Sequence, residues 1–427
     1  MVLHRAPLLL FAVGLVTCSR PDRSAVDPAL ASEIERIRAI DNHAHPVRVV
    51  LNGPSDREFD ALPVDNMEPS SDPLNLRPNA PAALNAARAL YGTADRKSEL
   101  RREKADAYPV WVLDQIGVDV MLANRVAMGP GIEPPRFRWV PYADALIFPL
   151  DNSKLAARNS DRKSFFALED QLRARYLKDA GLTTPPATLG DYLARIVTPT
   201  LERHKQGGAL AEKFEAAYLR SLQFDRVDRA AAERIYAQSI GKKAPGEAEY
   251  KPLQDFLFRY IAAECGRLGM AVHLHTNAGA GSYFDVAGAN PLKLESVLND
   301  PDLRKARFVM LHGGWPFTRE ITALLQKPNA YLDYSNQDLL LPPATLAATI
   351  REWLEFVPEK VLFGTDAYPY SDQLGWEESG SIAARTGRQA LAIALSGMMR
   401  DGEISRDRAI ELARMVLRDS ARKLYGL

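Results

Sequence analysis

The chain has 427 residues, enough for one large barrel with insertions or for two to three ordinary domains, so length alone leaves the domain count open. Its 46% hydrophobic and 25% charged residues are those of an ordinary globular protein. Because 54 basic residues balance 54 acidic ones, no net field attracts nucleic acid or an anionic membrane.

The chain opens with a basic residue among 1–5, an apolar run over 6–16 and then Leu15-Val16-Thr17-Cys18, the pattern of an export signal. The run is shorter than the roughly 20 apolar residues that span a bilayer. Leu-x-x-Cys at its end resembles a bacterial lipobox, although Thr17 departs from the usual Gly, Ala or Ser. The expectation is a signal peptide and lipobox over 1–18, cut before Cys18, and a periplasmic protein with a lipid anchor at Cys18 as its new first residue; ordinary signal cleavage nearby is the alternative. Cys265, the second cysteine, falls in a helical stretch over 254–268 and reads as a small core residue with no disulfide partner.

A leader over 19–37 carries a helical stretch beginning near 29 and leads into Ile40-Asp41-Asn42-His43-Ala44-His45-Pro46, a first strand that ends in a loop because Pro46 stops a helix. From 49 to 81 the chain is rich in Pro, Asn, Asp and Ser without periodicity, which reads as a long loop or lid. Helix follows over 82–107, then short strands over 118–123 and 137–142. Helix-rich segments over 162–180 and 189–205 read as an insertion, which makes two insertions in all, about 49–107 and 155–205. Residues 209–222 read by propensity as a helix. Beyond them, strands over 270–276, 306–311, 330–334 and 360–365 alternate with helices over 292–299, 318–326 and 345–356, a spacing that argues a parallel α/β architecture.

Of seven histidines, five fall at or near strand ends: His43, His45, His273, His275 and His312. A fourth such strand ends in Asp366. Side chains alternate along a strand, so His43 and His45 project to one face. In a parallel barrel these strand ends converge on one mouth. Several neutral imidazoles and a carboxylate around an open position describe a catalytic Zn site, and Fe or Mn takes the same ligand types.

The order His-x-His, His, His, Asp resembles the amidohydrolase superfamily. Ile40 to His45, His275-Thr276-Asn277, Phe308 to Glu320, Tyr331 to Ser335 and Val361 to Ala367 resemble the FluG-like branch of its second family. The resemblance covers residues 38–427, strongly after 208 and poorly over 49–205. It implies a (β/α)8 TIM barrel with helical insertions, a divalent metal held by His43, His45, His275 and Asp366, and hydrolysis of an amide-type C–N or ester bond. Asp366 would also take the proton from the attacking water, whose pKa the metal lowers from about 15.7 toward about 7. His312 would complete the coordination or hydrogen-bond the substrate carbonyl. Lys213 would lie on strand four, against the helix that propensity favours, and either bind an acidic substrate group or, carbamylated, bridge two metals. Arg220 and Arg319 are candidate carboxylate clamps through their planar guanidinium forks. Tyr283, Asp285, Trp315 and Tyr368 are candidate pocket residues, while His273 reads as packing one layer down. Decarboxylation by the same ligands is the competing enzymatic reading, and a non-catalytic periplasmic binding protein on the same barrel is the reading of a different class.

Overall fold

Eight short parallel strands alternate with helices in the computed structural model, which describes residues 25–62, 73–77, 79–93 and 96–427. The export signal, Cys18 and part of the lid segment lie outside the described residues. The strands are β1 (Ala39–Ala44), β2 (Val118–Asn124), β3 (Phe137–Val140), β4 (Ala211–Phe214), β5 (Ala271–His275), β6 (Arg307–Leu311), β7 (Ala330–Asp333) and β8 (Val361–Leu362). They pair in sequence order within β1–β3 and within β4–β8.

Two seams complete the barrel. Lys213 N donates to Pro141 O (2.7 Å) and Ala143 N to Lys213 O (2.9 Å), which joins β3 to β4. On the far side Asn42 N donates to Phe363 O (2.9 Å), Asp366 N to His43 O (2.8 Å) and His45 N to Ala367 O (2.8 Å), which joins β8 to β1. The result is a (β/α)8 barrel.

Segment 211–214 is a strand, not the helix that its Ala, Glu and Lys content favours. Ala211 pairs with Ala271 and Phe214 with Leu274, and all four residues of β4 are buried, so cross-strand pairing overrides a weak local preference. The helix of this region shrinks to Ala216–Leu219. Strand eight is likewise shorter than its apolar run suggests, and residues 363–366 continue beyond it as irregular chain that ends in Asp366.

The barrel interior is layered. Ile40, Leu122, Val140, Ala211, Ala271, Val309 and Leu362 form one buried cluster with Leu424 of the final helix, Ser420–Tyr425. Tyr425 enters from that end: its hydroxyl donates to Asn42 Oδ1 and accepts from His273 Nε2 (2.7 Å). Asn42 Nδ2 in turn donates to Asp333 Oδ2 (2.6 Å). His273 is thus fixed in a closed floor, as expected of a packing residue.

The expected helices are present, among them Pro28–Arg36, Pro81–Tyr91, Ser160–Asp179, Pro343–Phe356 and Glu247–Leu268, the last burying Cys265. Among the described residues no helix is long and apolar enough to cross a membrane.

Candidate metal centre

The β8–β1 seam assembles a ligand cluster. Asp366 N is tied to His43 O and His45 N to Ala367 O, so the three side chains are held on one side of the seam. Asp366 Oδ1 lies 3.1 Å from His43 Nε2 and 3.5 Å from His45 Nε2. One atom from each of His43, His45 and Asp366 falls within 4.8 Å of the others. His275 and His312 stand beside them: the His312 ring centroid is 5.0 Å from that of His43 and 4.7 Å from that of His275. His312 (φ 65°), Asn336 (φ 63°) and Asp366 (φ 51°) all adopt the left-handed backbone that disfavours side chains, a strain that gathers at functional sites.

A metal needs each imidazole to present a lone pair, so the other ring nitrogen must carry the proton and find an acceptor. The surroundings meet that test. His45 Nδ1 donates to Phe59 O (3.1 Å), which leaves Nε2 for the cavity. Ser335 Oγ donates to Asp333 Oδ1 (2.6 Å) and so accepts from His312 Nδ1 (2.8 Å), which leaves His312 Nε2 free. His275 donates through Nε2 to Asn277 O (3.0 Å), which leaves Nδ1. Against His43 Nδ1 lies the Asn124 amide, whose Oδ1 has no other partner; a half-turn of that amide sets the acceptor on the ring proton.

Charge follows the same logic. Burial, then the Lys213 charge, pushes His43 well below the usual histidine value and His275 down to about 3, and burial does the same to His312, so the rings are neutral. Burial alone would raise the Asp366 carboxyl, but His312, His45, Lys213 and a hydrogen bond from Asn336 Nδ2 (2.8 Å) outweigh it and hold the group below the ordinary carboxylate value. Neutral rings and an ionised carboxylate are the donor set a divalent cation takes.

These groups open into a cavity of about 610 Å3. It is lined by His43, His45, His275, His312, Asp366, Lys213, Trp315 and Tyr368 of the residues singled out in the sequence. Lys213 Nζ sits 3.4 Å from His43 Nε2 and 3.8 Å from Glu215 Oε1. Two expectations need correction. Arg220 does not line the cavity; its guanidinium is buried on Asp255 Oδ1 (2.6 Å) and Gln254 Oε1 (2.9 Å), an ion pair that ties the segment after β4 to the helix Glu247–Leu268. Arg319 is 86% exposed and paired with Glu352 at 3.3 Å, because it precedes the helix Glu320–Leu324 and points to solvent. Tyr283 and Asp285 also lie outside the lining.

Several lining residues escape the strand-end pattern: Asp60 and Leu74 from the lid segment, Glu215 and Tyr218 after β4, Asn277 after β5, Asn336 after β7 and Tyr370 after β8. Those immediately after strands share one available signal, since polar residues at the strand ends of a barrel reach its mouth. Nothing local marks Asp60, which the chain returns to the site across a loop. Behind Glu215 lie two more buried carboxyls. Burial raises Asp144 to about 7, opposed by the Glu215 N–H, and raises Glu169 well above its usual value with help from the Asp144 charge.

Comparison with solved structures finds the same barrel. A glucuronate isomerase from Caulobacter crescentus superposes with a TM-score of 0.62 at 11% identity, covering 98% of this chain and 97% of that one. A Lactobacillus casei protein taken for a metal-dependent hydrolase gives 0.59 at 15%, covering 94% and 98%. A uronate isomerase from Thermotoga maritima gives 0.58 at 13%, covering 93% and 96%. At such identities the likeness speaks for the fold alone. No curated protein sequence matches the chain. The amidohydrolase family model matches residues 167–427, more than half of the chain and β4 through β8 with His275, His312 and Asp366, and the chain therefore belongs to the amidohydrolase family.

Proposed function

We propose that this protein is a metal-dependent hydrolase that cleaves an amide-type C–N bond, or the related ester, of a small molecule. The carrying observation is the convergence of His43, His45 and Asp366 within 4.8 Å at the barrel mouth, with His275 and His312 on the same cavity. In this reading one divalent metal, zinc first and iron or manganese by the same ligand types, is held by His43, His45, His275 and Asp366. Bound there it would supply Lewis acidity toward a carbonyl oxygen and make water acidic enough to react near neutral pH.

The protein's own residues supply the rest. With Nδ1 donating to Ser335 and the ring neutral, His312 Nε2 carries a lone pair, so it serves as a further ligand in preference to a donor toward the substrate carbonyl. Asp366 takes the proton of the attacking water and delivers it to the departing nitrogen, while Asn336 Nδ2 on Oδ2 keeps the carboxylate in one orientation. In this one-metal reading Lys213, 3.8 Å from Glu215 Oε1 and 3.4 Å from His43 Nε2, places an ammonium beside the metal ligands. It is the single Lys or Arg side chain among the described lining residues, and this shortage of cations favours hydrolysis over decarboxylation of a carboxylated substrate.

Elemental analysis of protein purified without chelator tests the reading. About one Zn, Fe or Mn per chain, lost in both His43→Ala and His275→Ala, is expected under one-site coordination. No metal after metal-replete growth would overturn it. From residues 1–18 we also propose export to the periplasm with a lipid at Cys18; labelled palmitate incorporated in the full chain but not in Cys18→Ala is the expected result.

A further inference from the structure

Hydrogen-bond accounting around the cavity leaves one kind of atom over. Among the described lining residues, two buried side-chain polar atoms have no partner: Oε2 of Glu215 and Oδ1 of Asn277. The orientation of the Asn277 amide follows from a chain of bonds. Asp366 Oδ2 can only accept from Asn336 Nδ2, so Asn336 Oδ1 accepts from Asn277 Nδ2 (3.0 Å), and Asn277 Oδ1 is left over. The Asn277 oxygen is an acceptor, and the Glu215 oxygen is one whenever that carboxyl is ionised, with exposures of 5% for Glu215 and 2% for Asn277. Buried acceptors of this kind are costly unless a donor meets them.

Charge in the same corner has the same sign. Asp60 joins Glu215 in the lining, and burial, then the Asp60 charge, pushes the Glu215 carboxyl well up, so that it keeps a proton until a cationic group docks beside it. Lys213 is the one cation at hand, and it is shared with the His43 side at 3.4 Å. The lining also carries apolar and aromatic side chains: Leu74, Leu76, Leu340, Tyr218 and Trp315.

We propose that the substrate carries an amine, as an ammonium or an N–H donor, that docks on Glu215 and Asn277 while an apolar body lies along the leucine and aromatic wall. This rests on the reading of the cavity as the substrate site of a hydrolase and adds the substrate class: amino compounds with an apolar or aryl body, not sugar acids or other carboxylates. A carboxylate would meet the Asn277 acceptor and a second carboxyl at Glu215, and the one cation among the described lining residues, Lys213, is already held between Glu215 and His43.

Calorimetric titration of the metal-loaded and the chelator-stripped protein with benzylamine, benzyl alcohol and benzoate tests the proposal without relying on turnover. Benzylamine should bind about tenfold or more tightly than benzyl alcohol in both forms, the size expected of a buried hydrogen bond to a charged group. That preference should collapse in Glu215→Gln and weaken in Asn277→Leu, with thermal melts confirming the fold; if Glu215→Gln fails to fold, Asn277→Leu decides. Equal binding of amine and alcohol, tighter binding of benzoate to the stripped protein, or an amine preference retained in the folded variants would overturn the proposal. Absence of an amine preference in the wild-type protein with its metal content and hydrolysis intact would overturn this inference alone, whereas an amine preference in a wild-type protein that takes up no metal would overturn the hydrolase reading instead.

Discussion

His273 and His275 lie two residues apart on β5, face the same barrel interior and are both depressed to about 3, first by burial and then by the Lys213 charge. One layer of height gives them different chemistry. At the floor, His273 joins a chain through Tyr425 and Asn42 to Asp333, and its other nitrogen faces closed core. At the mouth, His275, His45 and His312 each spend one ring nitrogen on the protein and turn the other toward a shared cavity. Residue type, burial and proton affinity are alike in the two layers. What separates structural from functional histidine is the volume that the second nitrogen faces.

The largest expected effect lies at the mouth. Asp366→Asn should lower kcat by about 10^2 to 10^4-fold, the usual contribution of a positioned acid–base group, with a melting temperature close to wild type. A loss of that size in a floor variant such as Tyr425→Phe would break the comparison. Next, His43→Ala should purify without metal while His273→Ala retains it; equal metal content in the two would erase the difference between layers. A smaller effect is expected from Asn336→Ala, which removes the bond to Asp366 Oδ2: about 10 to 100-fold in activity or metal affinity, as for other residues that orient a ligand.

Stability against pH sharpens the comparison further. His273 and His275 have folded-state values of about 3, below the ordinary 6.5, so between those values the unfolded chain binds protons that the folded chain refuses. Stability of the metal-stripped protein is therefore complete above about pH 6.5 and falls as pH drops toward 3, by up to about 1.4 kcal/mol per pH unit for each such histidine. Denaturant titrations should show a shallower slope in His273→Asn. An unchanged slope would mean that the floor histidine is not held neutral. The smallest effect is that of Tyr425→Phe, which removes a hydroxyl bonded to His273 and Asn42 and should cost about 1 to 3 kcal/mol by chemical denaturation, with metal content unchanged.

The sequence by itself determined the strand-end histidines, Asp366 and the alternation of strands with helices. Those features are local: period-two alternation, an apolar run of four to six residues and a polar stop are complete within a few positions of the chain. Only the tertiary structure decided the rest, because each remaining question depends on a partner far away in sequence. Lys213 is on a strand because β5 pairs with it, although its neighbours prefer a helix. Arg220 is withdrawn from the cavity by Asp255, 35 residues on, while Arg319 is carried to solvent by the helix it precedes. Asp60 is returned to the mouth by a segment without periodicity, and Asn277 is left with a bare oxygen by a chain of bonds running through Asn336 to Asp366. Propensity and spacing describe what a segment can form alone; which of its polar atoms end up paired is settled only when the strands close the barrel and bring their acceptors and donors face to face.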